Sequence, residues 1–206
     1  MENEYKIKFS LNVDLININT IILSIIKMKT IIIESIWAKP HLETAGEIAL
    51  RLKAKKNNVS FGWVGAKLPW NDWELKLFWK ILGGSYDKKV KDFTKIYQWS
   101  KKFNGSLQDL KNYKYDNCKL GAGVASSIIS HLKDTEIDLI KNDHKIKLLL
   151  NAAGIVYERS KKIIQDMRPD KIYTFNNRFA TCYPIICAAN KLKVQTIRHE
   201  RGSSIF

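Results

Sequence analysis

The stretch from Lys171 to Ser204 constrains the fold more than any other part of the chain. It reads as a strand (Ile172–Phe175), a polar loop, a helix, a second strand (Val194–Ile197) and a second polar loop. Two strands joined through a helix pair in parallel, so both loops leave carboxyl ends of neighbouring strands, where open α/β sheets place their ligands. Asn176, Asn177 and Arg178 stand at the first exit and His199, Glu200 and Arg201 at the second. Six polar side chains are thereby expected on one rim.

A second β-α-β unit opens the chain. Lys29-Thr30-Ile31-Ile32-Ile33-Glu34-Ser35 reads as a buried strand, and Val59 to Val64 as another. Between them Ala45, Ile48, Ala49 and Leu52 recur at i, i+3, i+4 and i+7, one apolar helix face. Lys53, Lys55 and Lys56 close the helix and Asn57-Asn58 break it. The expected fold class is therefore α/β, a Rossmann-like parallel sheet with helices on both faces and a helical insertion. Residues 1–27 match neither period and are read as a non-core extension or one added edge strand, with Met28 a candidate start. Residues 28–206 form the Rossmann-like domain, and 67–150 a mainly helical insertion capping the sheet. Within it 104–120 reads as a loop and Val124 to Leu132 as a helix. A helix from His144 to Met167 follows, stopped by Arg168-Pro169.

With 206 residues, 45% of them hydrophobic, the chain can bury a core, which argues against global disorder. The net charge is +15 and the pI near 9.7, and residues 1–27 contribute none of the excess. Such a field favours anionic partners: nucleic acid, an acidic membrane face or phosphorylated substrates. Cys118, Cys182 and Cys187 form no CxxC pair and suit a reduced compartment rather than a disulfide framework. The apolar run Ile21 to Ile26 is too short to span a bilayer and has no cleavage site after it. The expected location is cytoplasmic, with peripheral contact at the inner face of the membrane compatible with the charge.

Pro40-His41-Leu42-Glu43-Thr44 follows a strand and opens a helix, whose free N–H groups favour an anion. His41 or Glu43 is the base-side candidate there, against plain helix capping. Arg178 offers a fork for phosphate or carboxylate, and Asn176 a hydroxyl partner, against simple turn geometry. His199 and Glu200 would shape the rim, although adjacent strand residues face opposite ways. Gly121-Ala122-Gly123 lacks the preceding strand and third glycine of a dinucleotide fingerprint. No GxxxxGK[ST], HExxH or paired CxxC occurs, so no metal is expected. Trp63, Trp70, Trp73, Trp79 and Trp99 are read as packing, not a base-stacking platform, so nucleic acid is a poor partner.

Three segments together, I-I-I-E-S-I-W-A-K-P-H-L-E-T-A-G-E-I-A-L, R-P-D-K-I-Y-T-F-N-N-R-F-A and H-E-R-G-S-S, resemble the amino-terminal half of bacterial surface-polysaccharide glycosyltransferases of the GT-B type, as in capsule and lipopolysaccharide synthesis. The resemblance covers about residues 28–206, with 67–150 alike in layout more than in motif. Where that family has F-N-G-R this chain has Asn177, which tolerates a left-handed backbone. The resemblance implies two Rossmann-like domains about a cleft, the second holding most of a nucleotide-sugar donor. It implies no covalent cofactor, a polysaccharide or lipid-linked sugar acceptor, and an acceptor-side half needing a carboxyl-terminal donor domain or partner subunit. In that setting Arg178 and Arg201 would stabilise phosphate or orient an acidic acceptor, and Asn176 would hold a hydroxyl. Two rivals remain: a non-catalytic basic module on an anionic polymer or membrane surface, and, ranking last, a stand-alone nucleotide-sugar enzyme such as an epimerase.

Overall fold

Four strands and six helices follow one another in the computed structural model, which describes residues 28–34, 41–64 and 93–200. In chain order these are β1 (Lys29–Glu34), α1 (His41–Ala54), β2 (Asn58–Trp63), α2 (Thr94–Lys101), α3 (Leu107–Asn112), α4 (Leu120–Leu132), α5 (Asp143–Met167), β3 (Lys171–Phe175), α6 (Tyr183–Lys191) and β4 (Gln195–His199). The proposed extension 1–27, residues 35–40 and the first part of the expected insertion, 67–92, lie outside the described residues.

The strands form one parallel sheet in the order β2-β1-β3-β4. The chain steps from β1 to β2 on one side, then returns to lay β3 and β4 on the other. The order therefore reverses between β1 and β3, and this reversal marks the ligand crevice of a doubly wound sheet.

Burial on both faces explains why β1 is a near-continuous apolar run. Ile31 and Ile33 point to one side, where with Ile172 they pack under α4, α5 and α6. Ile32 points to the other, with Phe61 against Ala45 and Ala49 of α1. Helices thus cover both faces, as expected. Residues 93–150 supply much of one covering layer. Phe103, Leu110, Leu120, Val124 and Ile128 belong to the same buried cluster as Ile31 and Ile33 of β1.

Helix α5 buries Ile146, Leu149, Leu150, Ala153, Val156, Tyr157, Ile163 and Ile164 along one stripe. It ends with Arg168 in the left-handed region (φ 46°) just before Pro169. Asp170 then ties β3 to β1. Its N–H donates to the Lys29 carbonyl (2.8 Å), and its Oδ2 accepts from the Lys29 N–H (2.7 Å).

Three features depart from the sequence reading. The supposed loop 104–120 contains α3, begun by a capping box: Ser106 Oγ accepts from the Asp109 N–H, and Asp109 Oδ2 from the Ser106 N–H. It also contains a two-residue hairpin, Tyr115 exchanging both backbone hydrogen bonds with Cys118. Asp116 (φ 46°) and Asn117 (φ 64°) take the left-handed conformations that such a primed turn requires. Finally, Cys118 and Cys187 are joined in a disulfide, which corrects the expectation of three reduced thiols; Cys182 is buried and outside this bridge. The two partners stand 69 residues apart, a separation at which spacing carries no signal.

Candidate functional site

At the carboxyl edge of the sheet the strand alternation sets which side chains meet. Glu34 ends β1 on the same face as Ile32. His199 ends β4 in register with Phe175 of β3. Alternation puts all three on the face that packs against α1.

Glu34 Oε1 and His199 Nε2 lie 2.7 Å apart, with both side chains almost wholly buried. Because β3 runs between β1 and β4, this contact bridges over the end of β3. The β1–β3 pairing runs from Thr30 with Lys171 to Ile32 with Tyr173. Beyond it the Phe175 N–H donates to the Glu34 carboxylate, which takes a place that a backbone carbonyl would hold in a continued ladder. The Phe175 ring lies beside the imidazole, centroids 5.9 Å apart. Behind the pair the Asn176 N–H donates to the His199 carbonyl (3.1 Å), so the ends of β3 and β4 stay in step.

Burial pushes the Glu34 carboxyl above its ordinary 4.5; the His199 hydrogen bond and charge and the Phe175 N–H oppose that rise. His199 Nδ1 is buried and has no hydrogen-bond partner among the described residues. The arrangement therefore handles one proton in two ways. With Glu34 ionised, Nε2 carries the proton and Nδ1 presents a lone pair. With the proton on Glu34, Nδ1 is the N–H donor.

The other sequence candidates separate. Asn176 is buried, and its Oδ1 accepts the Arg178 N–H (3.0 Å), closing a turn. Arg178 is exposed and sits over the Phe179 ring. Glu200 is exposed, so it diverges from His199 although adjacent in sequence. Glu43 is exposed in the first turn of α1. His41 is the first residue of α1, its side chain outside the described part, and Arg201 lies outside it altogether. The structure thus brings Asn176 and His199 together at the edge and leaves Glu43, Arg178 and Glu200 apart from the buried pair.

Glu34 was missed as a site residue. Its signal was a carboxylate ending a strand directly after three consecutive isoleucines, a costly place for charge unless it has a partner. Two other sequence features resolve into packing. In α4, a Cβ at Gly121 would collide with the Leu110 carbonyl oxygen, and one at Gly123 would come 3.0 Å from that of Phe179. Trp99 stacks on Tyr113 at 5.1 Å and donates its Nε1–H to the Lys114 carbonyl.

Among the described residues no group of three His, Cys, Asp or Glu is placed to hold a metal, and no helix is long and apolar enough to cross a membrane. Compared with protein-family models and with curated proteins, the sequence matches none.

Proposed function

We propose that this chain is the acceptor-side Rossmann-like half of a GT-B-type glycosyltransferase, with His199 and Glu34 as the proton-accepting pair at its ligand edge. The observation that carries the reading is the buried Glu34–His199 contact at the order reversal of a parallel sheet, with Nδ1 left unpartnered. The similarity of the three sequence segments to surface-polysaccharide enzymes adds the substrate class, a sugar acceptor and a nucleotide-activated donor.

In this reading an acceptor hydroxyl oxygen forms a bond to the anomeric carbon of the donor as the bond to the nucleoside diphosphate breaks. The hydroxyl proton passes to Nδ1 of His199, and the Nε2 proton moves to Glu34. A carboxyl whose affinity for a proton is raised by burial is suited to receive it. Because Nδ1 is buried, the hydroxyl reaches it only once the atoms covering it move. The turn at Asn176 would set the acceptor's register, with Arg178 and the start of α1 at His41 available to an anionic group. A donor-binding domain or partner subunit would hold the nucleotide.

The test is binding of surface-polysaccharide oligosaccharides by titration calorimetry, comparing wild type with His199→Gln. Specific glycan binding that weakens in the variant, with an unchanged circular dichroism spectrum, is the expected result. Binding to no glycan, or equal binding by both proteins, removes the reading.

A further inference from the structure

Away from the sheet edge, α2 and the start of α5 enclose two adjoining hollows. One, of about 540 Å3, is lined by Lys101, Lys102, Phe103, Ile140 and Lys147 among others. The next, of about 360 Å3, reaches Tyr97 and Leu148 and shares Lys101, Asp143 and Lys147 with the first. The shared residues make this one continuous surface.

Its apolar side chains are unusually open. Ile140 is 91% exposed, Tyr97 51% and Leu148 39%. Single exposed apolar residues are ordinary, but three on one face among lysines are not. Ile140 is held out by its own turn: Asp138 Oδ1 accepts the N–H groups of Ile140 and Lys141, each at 3.0 Å.

The charge on this face is mainly positive, apart from the exposed Asp138 that holds the Ile140 turn. Helix α2, TKIYQWSK, contains no carboxylate. Along the hollows the one acid is Asp143, engaged by Lys147 at 2.9 Å. Lys101 lies over the Tyr97 ring at 4.4 Å, leaving its ammonium on the surface, and Lys102 is exposed beside it. Lys95, Lys141 and Lys145 are exposed on the same two segments.

We propose that the α2–α5 face docks on an anionic lipid surface, the lysines lying at the headgroups and Ile140, Leu148 and Tyr97 entering the interface. Two of the three open apolar side chains, Ile140 and Leu148, are aliphatic and offer nucleic-acid bases no stacking face, and no arginine lines either hollow, which favours lipid over a polynucleotide. Lysines complement acidic headgroups, and tyrosine suits the boundary layer. The inference uses a face separate from Glu34 and His199 and stands independently of the glycosyltransferase reading.

The experiment is vesicle flotation of the full chain with phosphatidylcholine alone and with equal parts phosphatidylcholine and phosphatidylglycerol, over a range of salt. Wild type is expected on the acidic vesicles only, released as salt rises. Lys101→Glu with Lys102→Glu should lower that partition by roughly thirtyfold or more. Ile140→Asp should weaken it several-fold at unchanged charge-independent stability, since its side chain is exposed; an unchanged melting temperature checks this. No preference for acidic vesicles, or variants that float like wild type, overturns the proposal. So does heparin binding as tight as vesicle binding with Ile140→Asp without effect, which would make the face a polyanion site.

Discussion

Glu34 and His199, 165 residues apart in the chain, meet at 2.7 Å over the end of β3. Removing one partner leaves a buried polar group without its counterpart, a loss of about 3 kcal/mol or more. Glu34→Ala and His199→Ala should each lower unfolding free energy by that order in urea titrations. The double variant Glu34→Leu, His199→Phe should lose far less than the two losses combined.

The pH response of Glu34 has a definite sign. Burial raises the folded carboxyl above its ordinary 4.5, so the folded state holds a proton that the unfolded chain gives up first. The stability it contributes is complete below about 4.5 and is lost as pH rises through the raised folded value. The stability difference between wild type and Glu34→Gln should therefore shrink with rising pH. Urea midpoints from about pH 4 to about pH 8 will show it; a difference that grows with pH contradicts the raised carboxyl.

Asp116 behaves in the opposite sense. The Tyr157 hydroxyl (2.7 Å), with the Lys161 and Lys191 ammonium groups (3.2 Å each), holds its carboxyl down at about 2, below the ordinary 3.8. That stabilisation is present above 3.8 and is lost as pH falls through about 2. Asp116→Asn keeps the left-handed turn and removes the charge. It should lose about 1–2 kcal/mol at neutral pH and become indistinguishable from wild type in strong acid, by thermal melts.

Two glycines should respond to alanine in opposite directions. Gly121→Ala drives a methyl into the Leu110 carbonyl and should destabilise by about 1–3 kcal/mol. Gly46, inside α1 with open space where its Cβ would sit, should gain about 0.5–1 kcal/mol as alanine. Chemical denaturation of both variants checks the pair.

The Cys118–Cys187 bridge fastens the two-residue hairpin to α6. Reductant, or Cys118→Ala with Cys187→Ala, should lower the melting temperature and stability by about 2–4 kcal/mol. Differential scanning calorimetry with and without a dithiol reads this directly.

The layered fold was legible because its signals are local. The isoleucines of β1, the stripe along α5 and the polar exits after β3 and β4 each show within a window of a few residues. The capping box at Ser106 and Asp109 was equally local, but it lay in a segment with no apolar period. The site was only half legible. His199 could be picked out by its place after a strand. Glu34 could not be joined to it, because their meeting depends on strand order, which no periodicity encodes. Glu43, Arg178 and Glu200 had suitable chemistry, but helix phase, turn geometry and strand alternation carried them elsewhere. The disulfide was hidden for the same reason as the pair: its halves are distant in sequence.

The bridge over β3 also joins residues made far apart in time. Glu34 belongs to β1, but His199 arrives only with β4, 165 residues later. A chain emerging from the ribosome could assemble β1, β2 and β3 and still carry an isolated, unquenched carboxylate at their rim. The buried contact that quenches this carboxylate thus cannot form until synthesis has passed residue 199.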